Sequence, residues 1–204
     1  MCEPCSRVEA EDGASGLLLQ FVNAVAEGLE EDFPDMTYDT LAYHYTQPAP
    51  KYTRPRDDVI IRLSSIGCSF RTPFSEDRDD NPRHNQFCED LVGWSKMSNR
   101  LHVWDYGVNF TYHLLPHPNL RTFAPNFRFL LNHSVTGIFE ETDTPGTELP
   151  ELRYWLLGQL LWDPYQDTQA LIESFARAIT ALQASMLLRT WTRFTTRSKP
   201  LMIT

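Results

Sequence analysis

A fold of parallel βα units, in the α/β class, is what this sequence predicts. Four short segments rich in β-branched and aromatic residues recur along it, stretches of helical periodicity lie between them, and the connections are short. Alternation of that kind marks right-handed βαβ units and a parallel sheet.

The elements follow in order. Ser15 caps a first helix whose apolar stripe is Leu18, Phe21, Val22, Val25 and Leu29, and Pro34 stops it. Asp35 to Tyr45 reads as a strand through Thr37, Tyr38, Thr40, Leu41 and Tyr43; Gln47-Pro48-Ala49-Pro50 is a loop. Asp58 to Ile66 holds the run Val59-Ile60-Ile61, the pattern of a strand buried on both faces. The polar stretch Ser75 to Arg83 is a surface loop before a helix from about His84 to Met97, which buries Phe87, Leu91, Val92 and Trp94. Leu101 to Asp105 is a strand that opens into an aromatic loop, Tyr106 to Asn119. Leu120 to Asn132 is a helix with Pro125 as an irregularity near its start. Val135 to Phe139 is a strand ending at Glu140-Glu141, and Thr142 to Gly146 is a turn. Leu149 to Leu161, and a segment beginning near Thr168, are the last helices.

The four strands lie near residues 36–45, 58–66, 100–105 and 135–140. A closed (β/α)8 barrel takes eight strands and roughly 250 residues. At 204 residues, opening on a helix, the chain is expected to be the C-terminal half of such a TIM barrel, incomplete as given. Residues 1–177 form the barrel portion and 178–204 a divergent helical or disordered tail.

Composition excludes some functions. Eighteen Lys and Arg against 27 Asp and Glu give a formal charge of −9, and the basic residues near the C-terminus (Arg189, Arg193, Arg197, Lys199) are only loosely scattered. Nucleic-acid binding needs a concentrated basic patch, so no nucleic-acid partner is expected. No apolar run reaches a membrane span and no signal-type apolar region follows Met1. The chain therefore reads as soluble, and as secreted if a longer precursor carries the signal. The sequons at Asn109 and Asn132 are compatible with secretion.

Cys2 and Cys5 form a C-x-x-C, a spacing suited to zinc or to thiol–disulfide cycling. Cys68 and Cys88 supply no second ligand pair and no strand precedes the motif, so a loop thiol pair is the simpler reading. His113 and His117 are four residues apart, but Pro116 and Pro118 disfavour presentation of a zinc site on a helix. No cofactor is expected, and no nucleophile-elbow, zinc-protease, P-loop or dinucleotide motif occurs.

In α/β barrels, function sits at the C-terminal ends of the strands. That rule selects Tyr43, His44 and Tyr45 after the first strand, Arg62 to Ser65 in the second, Trp104, Asp105 and Tyr106 in the third, and Glu140 and Glu141 in the fourth. Asp105 and Glu140 are the candidate catalytic carboxyls, expected to point to one mouth. Glycoside hydrolysis needs such a pair, one to protonate the leaving oxygen and one to support the oxocarbenium-like centre. Tyr43, His44, Tyr45, Arg62, Trp104 and Tyr106 are the candidate substrate-binding residues, since aromatic faces stack on sugar rings. Structural roles compete with each: Asp105 as acceptor of loop N–H groups, Glu140 as partner of an arginine such as Arg62, Trp104 as a rim residue of the core.

Several strings in order resemble the family catalogued as domain of unknown function 4838. They are Cys2-x-x-Cys5, Gly16 to Asn23, Asp39-Thr40-Leu41-Ala42-Tyr43-His44-Tyr45-Thr46, Val59-Ile60-Ile61-Arg62-Leu63, Trp104-Asp105-Tyr106, Leu114-Leu115-Pro116-x-Pro118-Asn119, Gly137-Ile138-Phe139-Glu140 and Leu160 to Pro164. The resemblance runs from Cys2 to about Phe175. It implies a TIM-barrel glycosidase similar to glycoside hydrolase family 163, hydrolysing β-linked N-acetylglucosaminides with help from the substrate's acetamido group. Three departures stand out. Met1 replaces a long upstream segment that carries another Cys, Gly67 stands where family members often have Glu, and the pattern ends beyond Phe175. The resemblance also implies that the main catalytic pair lies upstream of Met1, leaving here one wall of the cleft.

Two functions are therefore carried forward. One is a glycoside hydrolase-like domain acting on or binding glycans. The other is a non-catalytic carbohydrate-binding or decayed fragment, whose open sheet edges favour self-association.

Overall fold

Gly13, at φ 88°, separates two helices that open the chain, α1 (Glu3–Asp12) and α2 (Ala14–Leu29). The computed structural model describes residues 2–76, 80–110, 112, 115–142 and 147–179. They fall into two units, Met1–Tyr106 with Phe129–Glu141 and Gly107–Arg128 with Thr142–Thr204. The sequence reading has no α1, although Pro4 and Glu3 in its first turn suit a helix start, because a proline there gives up an N–H that has no helical partner. The Cys2/Cys5 pair accordingly lies at a helix N-terminus and not in a loop. Helix α2 ends at Leu29, earlier than Pro34 requires.

The sheet lies wholly in the first unit. Strands β1 (Tyr38–Ala42), β2 (Val59–Ser64), β3 (Leu101–Tyr106) and β4 (Val135–Glu141) run parallel in the order β1-β2-β3-β4. Helix α3 (Pro82–Ser95) connects β2 to β3, and α4 (Phe123–Asn132) falls between β3 and β4. Asn81 caps α3 by accepting the Arg83 N–H at 3.0 Å. Pro125, the third residue of α4, occupies the first turn, where its missing N–H leaves no helical hydrogen bond unmade. Helices α5 (Pro150–Trp162) and α6 (Thr168–Ile179) belong to the second unit. The expected turn from Thr142 to Gly146 and the tail 178–204 fall largely outside the described residues.

Two expectations need correction. The first strand stops at Ala42 instead of Tyr45, because His44 takes a left-handed backbone (φ 50°) and begins a 3-10 turn, His44–Thr46. Strand β2 is not buried on both faces among the described residues: Val59, Ile61 and Leu63 are buried, whereas Ile60 and Arg62 are only partly covered. Helices cover one face. Leu18 and Leu19 of α2 and Trp94 of α3 meet Thr40, Ala42 and Ile61 around a small apolar gap. Phe74 packs nearby on Phe87 and Phe129, with ring centroids 5.0 and 6.2 Å apart.

The β1–β2 crossover contains no α-helix, so side chains of α1 and α2 take over its backbone hydrogen bonds. Asp12 accepts the N–H groups of Tyr52 (2.6 Å) and Thr53 (3.1 Å). Asn23 donates to Arg54 O at 2.9 Å and accepts from Arg56 N at 3.1 Å. A Cβ at Gly16 would stand 2.3 Å from the Asp12 carboxylate, so only glycine fits there. In the second unit a buried cation does similar work. Arg153, 1% exposed, donates to Gly107 O at 2.8 Å, to His117 O at 3.3 Å and to the Asn119 side chain. Burial and that guanidinium push His117 down to about pKa 4; His113 lies outside the described residues.

Burial opposes ionisation of Asp12, but the Thr53 hydroxyl and the N–H donors prevail and hold its pKa below the ordinary value. Its stabilising contribution is thus present above about pH 4, the unfolded value, and is lost as pH falls through the folded one. Asp12→Ala is expected to cost about 1.5–3 kcal/mol at pH 7. Urea unfolding at pH 7 and pH 3 checks this: the deficit relative to wild type should shrink at pH 3.

Candidate functional site

Alternation along each strand gives the sheet two unlike faces. The helix side carries Ala42, Ile61, Leu63, Leu101 and Val103, all at most 2% exposed. The other side carries Asp39 and Leu41 from β1, Ile60 and Arg62 from β2, His102, Trp104 and Tyr106 from β3, and Phe139 and Glu141 from β4. Leu41 and Phe139 there remain 41% and 45% exposed.

The candidate residues divide between these faces. Asp105 and Glu140 are brought together, opposite one another in the β3–β4 register. They follow Val103 and Ile138 on the helix side. Asp105 is 3% exposed and accepts hydrogen bonds from the Ser65 hydroxyl and the Tyr106 N–H. Both carboxyl oxygens of Glu140 are buried too. Burial pushes the Asp105 pKa up, more than its donors pull it down. Arg62 does not meet Glu140; its Nε donates to both oxygens of Asp39, at 3.1 and 3.2 Å.

Trp104 sits on the open face with its orientation fixed twice. Its Nε1 donates to Glu141 Oε2 at 2.7 Å, and its ring stands edge-on to Phe139 with centroids 4.7 Å apart. Tyr106 is anchored by its hydroxyl, 3.4 Å from Ser64 Oγ. Burial raises its pKa. His102 lies partly buried beside Arg62, and both influences lower its pKa. Gly137 opposite leaves room for that imidazole, since a Cβ there would stand 2.6 Å from it.

Two cavities adjoin these residues. A groove of 950 Å³ runs along the β1 edge, lined by Cys5, Phe21, Tyr43, Tyr45, Arg62 and Trp104 among others. A second, of 440 Å³, lies at the C-terminal ends of β1 and β2 and is lined by Tyr43, His44, Tyr45, Ser64, Gln86 and Asp90 among others. Neither lining includes Asp105 or Glu140. Tyr43 and His44 touch edge-on at 4.0 Å, and Tyr45 is 80% exposed.

Asp90 is a polar centre that the strand-end rule misses. It accepts from Gln47 Nε2 and Gln86 Nε2, both at 2.9 Å, and burial raises its pKa. Its signal in the sequence is the Gln86/Asp90 spacing of four on one helix face. Among the described residues no group of three or more His, Cys, Asp or Glu side chains forms a metal-binding cluster. None of their helices is long and apolar enough to cross a membrane.

Because Asp105 is harder to ionise in the folded chain, folding takes up a proton above about pH 4, and stability falls as pH rises from there towards the folded value. Asp105→Asn imitates the protonated form. It is expected to flatten that slope and to leave stability at pH 7 unchanged or about 1 kcal/mol higher. Urea midpoints at pH 5 and pH 7 measure both effects, and a loss above about 2 kcal/mol at pH 7 would contradict them.

No curated protein and no solved structure matches the chain. One family profile does, over residues 1–193, and so continues past Phe175, where the string-by-string resemblance stops. A match over so much of the sequence is decisive: the chain belongs to the family described as Domain of unknown function (DUF4838).

Proposed function

We propose that the open face of the sheet is the glycan-binding face of a glycoside hydrolase-type (β/α)8 barrel, of which the chain supplies four consecutive strands. The observation that carries this reading is Trp104, whose indole on the sheet's open side is fixed by its edge-on contact with Phe139 and by its hydrogen bond to Glu141. An indole fixed in that way presents an apolar plate beside polar groups, and a pyranose ring, apolar on its faces and polar at its rim, is complementary to it. Arg62 and Asp39 add a fixed donor and acceptor on the same face.

In this reading Trp104 is the stacking platform, with Tyr106, Tyr43, Tyr45 and His44 at the strand ends above it. The barrel interpretation rests on the sheet itself: parallel strands in sequential order, with β1 and β4 as its outer strands. Closing into a barrel would cover both edges and enclose the polar face. Asp105 and Glu140 then act as positioning residues, fixing the ends of β3 and β4 from the helix side. The carboxylate that faces a bound sugar is Glu141.

An oligomer of β-linked N-acetylglucosamine is the ligand to titrate, following intrinsic tryptophan fluorescence of the full chain. Saturable binding is expected. Trp104→Ala should weaken it about tenfold or more, whereas Asp105→Asn should leave it within about twofold. Wild-type binding that survives Trp104→Ala unchanged, or no binding at all, would overturn the reading. A chromogenic N-acetylglucosaminide run in parallel separates hydrolysis from binding alone.

A further inference from the structure

The four cysteines occupy two kinds of environment. Cys68 is buried, and Cys88 is largely enclosed, its thiol pushed up to about pKa 12 by burial and by Glu89. Cys2 is exposed and Cys5 half-buried, with their sulfur atoms 3.0 Å apart. Cys2 is the N-cap residue of α1, with extended backbone (φ −73°, ψ 156°), and Cys5 is the third residue of the helix. That placement sets the Cys2 thiol at the positive end of the helix dipole.

We propose that Cys2 and Cys5 form a redox-active dithiol, in which Cys2 is the attacking thiolate and Cys5 the resolving thiol. Three features converge. The two sulfurs are in hydrogen-bond contact across one helical turn, close enough to join with a small rotation of the side chains. The Cys5 thiol and backbone N–H both act on Cys2, holding it below the ordinary thiol pKa, while the same contact raises Cys5. An N-cap thiolate stabilised by a second thiol three residues on is the arrangement that makes one sulfur of a C-x-x-C the nucleophile. Among the described residues no further ligand joins the pair into a metal cluster.

The chemistry balances with a low-molecular-weight disulfide such as oxidised glutathione. The Cys2 thiolate attacks one of its sulfurs, forming a mixed disulfide and expelling one glutathione thiolate. Cys5 then gives up its proton, which passes to a departing thiolate, and attacks the Cys2 sulfur. The second glutathione leaves, a Cys2–Cys5 bond remains, and two electrons have passed from the dithiol to the glutathione. Cys5 also lines the groove that holds Arg62 and Trp104, so the new bond would stiffen the first turn of α1 at the rim of that groove.

Trypsin releases both cysteines in one peptide ending at Arg7 and leaves Cys68 and Cys88 elsewhere. The full-length chain is exposed to oxidised glutathione at pH 7, quenched with an alkylating agent, digested and weighed. The expected product is the Arg7-terminated peptide lighter by two hydrogens, with Cys68 and Cys88 unchanged. In Cys5→Ser the glutathione adduct should accumulate on Cys2, whereas in Cys2→Ser the adduct on Cys5 should form about tenfold more slowly or worse. Brief, sub-stoichiometric alkylation of the wild-type chain needs no variant: Cys2 should label ahead of Cys5, and concentrated urea should abolish the preference. The proposal is overturned by equal labelling of Cys2 and Cys5 in the folded chain, by a preference that persists in urea, or by Cys88 reacting as fast as Cys2.

Discussion

One constraint governs the candidate site: side chains in a strand alternate between faces, so the register of β3 against β4 decides which groups meet. That register contains a shift. Leu101 pairs with Val135 but His102 with Gly137, so Thr136 is passed over. From there Trp104 falls opposite Phe139, Asp105 opposite Glu140 and Tyr106 opposite Glu141. Without the extra residue the far half of β4 would present its other face, placing Glu140 on the open side and Phe139 and Glu141 under the helices. The bulge thus determines which acidic residue stands beside Trp104. Gly137 makes it sterically possible, because any larger residue would strike the His102 ring.

The price of this arrangement is a pair of carboxyls buried in contact. Burial opposes ionisation of Asp105 and raises its pKa, more than the hydrogen bonds it accepts pull it down. Ser65, fully buried at the end of β2, gives Asp105 its hydroxyl hydrogen bond. The pair therefore ties β2, β3 and β4 together where their side chains change from apolar to polar. The β1 side is held differently, through Asp12 and Asn23, which fasten the crossover to α1 and α2.

Much of this was legible in the sequence. All four strands and most of the helices follow from apolar periodicity, because each strand buries one face under helices and each helix one stripe. What escaped is where a single residue changes the geometry. The left-handed backbone of His44 cuts the first strand short, and nothing about a histidine announces it. The bulge at Thr136 reverses the parity that would be counted from Val135, so acidic character at the strand end was readable but its direction was not. Helix α1 is polar, with one buried residue, Asp12, so it offers no apolar stripe to find. Asp90 acquires its role only when α3 meets the Gln47 turn, a contact between residues far apart in sequence.

The indole N–H of Trp104 is the most direct reporter of whether the open face receives a sugar. Of the tryptophans in the first unit, Trp94 is 1% exposed with its Nε1 donating to Gln47 O at 2.7 Å, whereas Trp104 reaches the groove. In a two-dimensional ¹H–¹⁵N spectrum, with the two indole signals assigned through single Trp→Phe variants, a β-linked N-acetylglucosamine oligomer is added stepwise. The expected result is a saturable shift of the Trp104 signal while that of Trp94 stays in place. A Trp104 signal that does not move at saturating oligomer, or one that moves only together with Trp94, would contradict the placement of the sugar on this face.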